Sequence, residues 1–211
     1  MLFQVEDALP NTVARELRSL TVRGALLPGE HLGQTDLANR FGRSKVPIRE
    51  ALKHLATEGF LRHDRNRGYF VSPLDLDEAM QLYKLRRWLE AELLASAAWP
   101  AKAELTTIRS KFEMLAAIDP ATDYEGWSLA LEELRYAIFD LSPHKLLLHE
   151  AIRAWRLTDR YRGFLPRNLG PSPELALIDA LEQQDRAELL ATYHAIRDRV
   201  EGLLAEAIGS R

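Results

Sequence analysis

The sequence predicts a mostly α protein in two parts: an N-terminal unit of short helices ending in a small β-hairpin, and a larger all-α bundle. Three observations carry this. Apolar residues recur at three- and four-residue spacing along most of the chain. The stretch 60–72 reads instead as two short strands around a polar, glycine-containing turn. Pro73 then separates the two patterns. At 211 residues the chain has room for both a small unit and a larger one.

Composition excludes several classes. No run approaches the roughly 18 apolar residues of a membrane span, and MLFQVEDALP lacks the basic start and apolar core of a signal peptide. A cytoplasmic location and no membrane partner are expected. The absence of cysteine removes disulfides, thiolate metal sites and cysteine nucleophiles. The net charge of -3 is unevenly divided. Residues 1–72 carry eleven Lys/Arg against eight Asp/Glu, and the remainder 17 against 23; within residues 40–67 the balance is eight against three. Such asymmetry fits a basic nucleic-acid-reading unit tied to an acidic one, the alternative being a solvated charged face.

A first helix is expected over residues 12–23. Val13, Leu17 and Leu20 share a face, Asn11 or Thr12 can cap the start, and Gly24 ends it. Leu26, Leu27, Pro28 and Gly29 form an apolar segment with a turn, followed by His31 and Leu32. The second helix is short. Thr35 serves as N-cap, Asp36 sits where the helix dipole favours an acid, Leu37, Ala38 and Phe41 face inward, and Gly42 takes the left-handed stop position.

The third helix spans residues 45–58. Ser44 is its N-cap, and Pro47 falls in the first turn, where amides have no intrahelical partner to lose. The Ser44 hydroxyl should take the Val46 amide, since Pro47 has none to give. Ile48, Ala51, Leu52 and Leu55 lie on one side; Lys45, Arg49 and Lys53 lie roughly 120° away. Gly59 closes the helix. Residues 60–63 and 69–72 form a hairpin around Asp64, Arg65, Asn66, Arg67 and Gly68, with Asn66 and Gly68 able to supply positive φ. A short turn between helices, a cationic second helix and a cationic hairpin together describe a winged helix-turn-helix. Each signal is weak alone; the three in order within one short stretch are strong.

After Pro73 helices are expected at 76–99, 103–118, 124–141, 143–165, 173–183 and 185–208. Leu82, Leu85, Leu89 and Leu93 form a stripe on the first of them. Breaks come from Pro100, Asp119-Pro120, Ser142-Pro143 and RNLGPSP at 167–173. Trp88, Trp99, Trp127 and Trp155 are expected in core packing. The domain organisation is therefore 1–72, a winged helix-turn-helix domain for binding DNA, and 73–211, a six-helix bundle.

LLPGEHL at 26–32, DLANRFGRSKVPIREALKHLATEGFL at 36–61 and RNRGYFV at 65–71 resemble the GntR family of bacterial transcription regulators. Family members usually carry Ser, Arg, a small polar residue, Pro and then Val-Arg-Glu-Ala-Leu at the recognition helix. This chain has Arg43, Ser44, Lys45, Val46, Pro47, Ile48, Arg49, Glu50, Ala51 and Leu52. Lys45 keeps the charge but gives up a bidentate fork, Val46 gives up a hydroxyl, and Arg43 adds a cation. The resemblance implies that Arg43, Ser44, Lys45, Val46 and Arg49 meet DNA and that Arg67 and Gly68 of the wing enter the minor groove. By chemistry, Lys45 and Arg49 suit base edges, while Ser44, Arg40 and Lys53 suit phosphates. Glu50 is expected to pair with a nearby arginine.

LYKLRRWLEAELLASAA at 82–98 carries the Arg-x-x-Leu-Glu pattern of the FadR-type branch, and the count of six helices suits its VanR-like members with an FCD-like domain. The resemblance implies a homodimer on a palindromic double-stranded DNA operator, switched by a small metabolite, often a carboxylate. Many members of the branch hold a divalent metal with one aspartate and three histidines. Here those positions fall on Leu131, Arg135, Glu174 and His194. Leucine and arginine cannot ligate a metal, so no cofactor is expected. Arg135 could bind an anionic effector directly or pair internally with Glu174. Arg86, Tyr136, Tyr193, His194 and Arg197 are further effector candidates. Asp140 and His144 stand four apart but are separated by Pro143, and His149 reads as a surface residue.

The chain thus reads as a ligand-responsive transcription regulator, a repressor by resemblance. Two alternatives compete: a metal-dependent regulator using Glu174 and His194, and a helical enzyme. The enzyme reading lacks a Cys nucleophile, a GxSxG or phosphate-loop motif and a complete metal constellation.

Overall fold

The computed structural model describes residues 9–162 and 173–209, with side chains over 12–162 and 173–207. The elements in order are α1 (Leu9–Val22), β1 (His31–Leu32), α2 (Gln34–Phe41), α3 (Lys45–Thr57), β2 (Leu61–Asp64), β3 (Gly68–Val71), α4 (Leu76–Ser96), α5 (Lys102–Ala116), α6 (Tyr124–Phe139), α7 (Lys145–Asp159), α8 (Pro173–Gln183) and α9 (Arg186–Gly209). Two compact units divide between Asp75 and Leu76, three residues beyond the expected boundary. Residues 159–162 belong with the first unit, where the Arg160 guanidinium donates to the Gly59 carbonyl at 3.1 Å.

In the first unit, α1, α2 and α3 surround a core that includes Val13, Leu17, Leu37, Ile48, Leu52, Leu55 and Phe60. Helix α1 begins at Leu9, earlier than expected, so Asn11 and Thr12 lie inside it and neither is its cap. Pro10 is tolerated there because first-turn amides are unbonded. The N-cap of α2 is Gly33 rather than Thr35, and it makes no side-chain cap bond. Gly42 ends α2 at φ +60 with its amide returned to Ala38 and Asn39 carbonyls, the left-handed stop expected.

Ser44 is the N-cap of α3, but its hydroxyl makes no capping bond, against the expectation that it would take the Val46 amide. The hairpin pairs β2 with β3 from Leu61↔Val71 to Asp64↔Gly68. Gly68 supplies a positive φ of +92, whereas Asn66 does not. Asp64 explains this: its Oδ1 accepts the amides of Asn66 at 2.9 Å and Arg67 at 3.1 Å, closing the tip without a left-handed asparagine. The two-residue strand β1 adds to β3 and makes the sheet order β1-β3-β2. A segment so short has no alternation to read, and the sequence shows His31 and Leu32 only as the residues that follow the turn at Pro28 and Gly29.

The second unit packs α4 to α9 around Leu93, Leu94, Ile138, Ile178, Leu189 and neighbouring side chains. Helix α4 ends at Ser96 rather than Trp99. The Arg186 guanidinium takes the Leu94 and Ala97 carbonyls while lying 3.9 Å from the Trp99 ring centroid, so the open end of α4 is satisfied without another turn. The Glu104 carboxylate accepts the Ala101 amide at 2.8 Å to start α5, and Asp123 caps α6 through the Gly126 amide at 2.9 Å. Helix α7 starts two residues later than expected, with the Ser142 hydroxyl accepting the His144 amide at 3.1 Å. It ends at Asp159, whose carboxylate is taken by Arg162 at 2.8 Å; of the RNLGPSP break, only Pro173 is among the described residues.

The core stripe of α4 differs from the leucine stripe expected. Its buried side chains are Ala79, Tyr83, Arg86, Glu90, Leu93 and Leu94, while Leu85 is 41 % exposed. Trp155 is core and Trp99 and Trp127 pack against it, but Trp88 is 62 % exposed, contrary to the expectation for all four. Among the described residues no helix is long and apolar enough to cross a membrane.

Candidate nucleic-acid interface and buried cationic cluster

Helix α3 is two-faced. Ile48, Ala51, Leu52 and Leu55 are each 1 % exposed or less, whereas Lys45, Val46, Arg49 and Lys53 stand in solvent. Arg40 at the end of α2, and Arg43 and Ser44 in the turn, are exposed as well. The face is cationic because a helix that buries one side must present its charged residues on the other. Arg49 Nε lies 3.3 Å from Glu50 Oε1, an exposed pair between sequence neighbours that matches the arginine partner expected for Glu50.

The wing is fixed by the sheet beneath it. Phe70 on the central strand is covered by the His31 ring at 5.0 Å and by the guanidinium groups of Arg62 and Arg67 at 5.7 and 5.3 Å from its centroid. The exposed tip thus carries Arg65 and Arg67, while Gly68 is half-buried. A Cβ on Gly68 would come 3.2 Å from His31 Nε2. The Asp64 carboxyl is held below its ordinary pKa by the Asn66 amide, partly opposed by burial, with the Arg67 amide and the charges of Arg67 and Arg62 acting in the same direction as Asn66. The signal for Asp64 as the residue that closes the tip is an aspartate two residues before Asn66, whose amide it accepts.

Residues 9–71 match the model for the family described as "Bacterial regulatory proteins, gntR family". The chain is 33 % identical over 122 residues to the Nta operon transcriptional regulator of Aminobacter aminovorans, a match covering 57 % of this chain and 58 % of that protein. Residues 9–71 are a GntR-family domain. It is also 26 % identical over 209 residues to the gluconate operon transcriptional repressor of Bacillus subtilis, covering 90 % of this chain and 84 % of the repressor. The first three curated relatives are covered over only 44 to 60 % of their own lengths. E. coli McbR/YncC superposes with TM-score 0.69 at 22 % identity over 94 % of this chain and 98 % of that one. A GntR structure from Rhodococcus sp. RHA1 does so with TM-score 0.73 at 20 % identity over 96 % and 98 %. These two likenesses are of fold. The GntR family and the named relatives are transcriptional regulators, not enzymes.

The helical unit holds a buried polar cluster. Glu90 is its centre: Oε1 accepts Arg86 Nε at 2.8 Å and Trp155 Nε1 at 2.6 Å, and Oε2 accepts the Tyr193 hydroxyl at 2.9 Å. Arg86 Nη1 also donates to Thr158 Oγ1 at 2.8 Å. Arg197 Nη1 stands 3.9 Å from Glu90 Oε2, and neither its Nε nor its Nη1 makes a hydrogen bond among the described residues, although the side chain is 92 % buried. Burial acts to raise the Glu90 pKa, but the charges of Arg86, Arg197 and Arg135 and the Arg86 hydrogen bond outweigh it and bring it to about 2. Burial lowers the Arg86 pKa, yet Glu90 and the tyrosines reverse this and raise it. Burial and the neighbouring Glu90 charge both push the Tyr193 hydroxyl up, so it serves as a neutral donor.

Of the seven effector candidates, the structure brings Arg86, Tyr193 and Arg197 together around Glu90, with Arg135 close enough to act on its charge. Arg135 Nη2 lies 3.8 Å from Glu174 Oε1, the internal pairing foreseen as the alternative. His194 meets the Tyr193 ring edge-on at 5.5 Å. Tyr136 belongs elsewhere, half-buried with a pKa raised by burial and by Asp140. The residues at the four metal positions do not fit a metal: Leu131 is core and Arg135 occupies Glu174. Among the described residues no group of three His, Asp or Glu gathers anywhere to hold one, so the Glu174 and His194 site has no third ligand of these types. Glu90, Trp155 and Thr158 were missed as cluster members. Arg86 and Glu90 do stand one turn apart in the sequence, a spacing that marks an ion pair but not its burial.

Proposed function

We propose that this chain is a dimeric, sequence-specific DNA-binding transcriptional regulator, a repressor, whose helical unit senses a small organic acid. The observation that carries the DNA part is the division of α3 into a fully buried apolar face and an exposed face of Lys45, Val46, Arg49 and Lys53. Helix α3 enters the major groove. Lys45 and Arg49 meet base edges, Val46 offers an apolar surface for a thymine methyl, and Arg40, Arg43, Ser44 and Lys53 hold phosphates. Arg67 and Gly68 follow the adjacent minor groove. Residues 1–72 act as the reading head, and 73–211 as an FCD-like effector and dimerisation unit of the FadR-type branch.

The acid-sensing part rests on the cluster around Glu90. The guanidinium charges of Arg86, Arg135 and Arg197 exceed the carboxylates Glu90 and Glu174 by one, and Arg197 keeps buried N–H donors uncommitted. A buried cation without a full complement of acceptors is costly, and an incoming carboxylate relieves that cost. Tyr193, His194 and Glu174 complete the candidate lining. The naming of one relative for a gluconate operon agrees with this ligand class.

Selection of duplexes from a randomised pool tests the central reading. The protein should enrich a palindromic site, its affinity should fall steeply with salt, and Arg49→Ala should cost about 1 to 3 kcal/mol on that site. Failure to enrich any sequence, or an unchanged affinity of Arg49→Ala, overturns it.

A further inference from the structure

We propose that a second copy of this chain docks on the outer face of α4, the two helices antiparallel and related by a two-fold axis at Trp88. The inference rests on the dimeric reading above and assigns its surface. Trp88 is 62 % exposed and Leu85 41 % exposed, one turn apart on the side of α4 opposite to Tyr83, Arg86, Glu90 and Leu93. Leu82 and Leu89 beside them are only half-buried. Among the described residues, the other exposed large apolar side chains of this unit, Met114, Leu129 and Leu146, stand one each on α5, α6 and α7 and need no explanation. An exposed tryptophan flanked by leucines is the composition of an interface centre.

Charge placement selects the occupant. Lys84 and Glu92 lie four residues before and four after Trp88, about 6 Å along the axis in either direction. A two-fold axis through Trp88 therefore brings Lys84 of each copy level with Glu92 of the other, so the face is complementary to itself. Both side chains are exposed, and Lys84 Nζ lies 5.2 Å from the Trp88 ring centroid, folded along the patch. His144 Nε2 lies 3.9 Å from Glu92 Oε1. Ala95, exposed and on the same face as Glu92, adds no bulk where the helices must approach.

Sedimentation of the full chain tests the face. The wild type should be a dimer at tens of micromolar. Trp88→Glu should raise the dimer dissociation constant at least roughly thirtyfold, as for a buried hot-spot side chain. Lys84→Glu and Glu92→Lys should each raise it roughly tenfold or more, and the double variant Lys84→Glu/Glu92→Lys should return to within about threefold of wild type. Far-UV circular dichroism confirms that each variant folds. A wild-type dimer that Trp88→Glu leaves intact overturns this face while sparing the dimeric reading. A double variant as weak as its parents overturns the two-fold pairing, and a monomeric wild type overturns both readings.

Discussion

Arg86 Nε donates to Glu90 Oε1 at 2.8 Å across one turn of α4, inside the core of the helical unit. A pair so placed gains little over an apolar isostere, because both charges lose their water. What it provides is a fixed carboxylate onto which Trp155 and Tyr193 also converge.

Acid should reveal that carboxylate. Its pKa falls from an ordinary 4.5 to about 2, so the stabilisation it lends is complete above about pH 4.5 and is lost as pH drops through about 2. The amount is on the order of 3 kcal/mol. Denaturant unfolding between pH 7 and 2 should show Glu90→Gln less stable at neutral pH and flatter on the acid side than wild type. An equally steep acid limb in the variant would assign the dependence to other carboxylates.

Ser44 separates structure from recognition. Its hydroxyl makes no capping bond, so Ser44→Ala should change stability by less than about 0.5 kcal/mol, against about 1 for a bonded serine cap. Operator affinity should nevertheless fall, since an exposed phosphate donor is removed. Chemical denaturation and duplex titration measure the two effects; a full cap-sized loss of stability contradicts the prediction.

Two glycines rank the strain at the head. Gly42 at φ +60 has nothing within 4 Å of a built Cβ, while Gly68 at φ +92 would meet His31 Nε2 at 3.2 Å. Gly42→Ala should cost about 1 kcal/mol from backbone strain alone. Gly68→Ala should cost more, about 1 to 2 kcal/mol, and weaken DNA binding. Equal losses in denaturation would mean that His31 moves aside freely.

Arg197 carries the ligand prediction. Small carboxylates should raise the melting temperature of the wild type, because a ligand of the folded state alone stabilises it. Arg197→Leu should abolish that rise, whereas Arg153→Leu, an exposed arginine on α7, should keep it. A shift preserved in Arg197→Leu removes Arg197 from the effector site.

The sequence by itself determined the head. Helix spacing, Pro47, the glycines at 24, 42 and 59, and the basic hairpin are local signals, each acting within a few residues. The order of six helices after Pro73 was legible for the same reason, with errors confined to their ends. The tertiary structure alone decided which side of α4 is inside. Arg86 and Glu90 look like surface residues on that helix until Thr158, Trp155, Tyr193 and Arg197 arrive from distant positions to satisfy them. Trp88 and Leu85 look like core until those same residues take the buried face. Periodicity reports that a helix is two-sided. Which side is buried depends on the partners that neutralise a charge or leave an indole uncovered, and those lie many residues away.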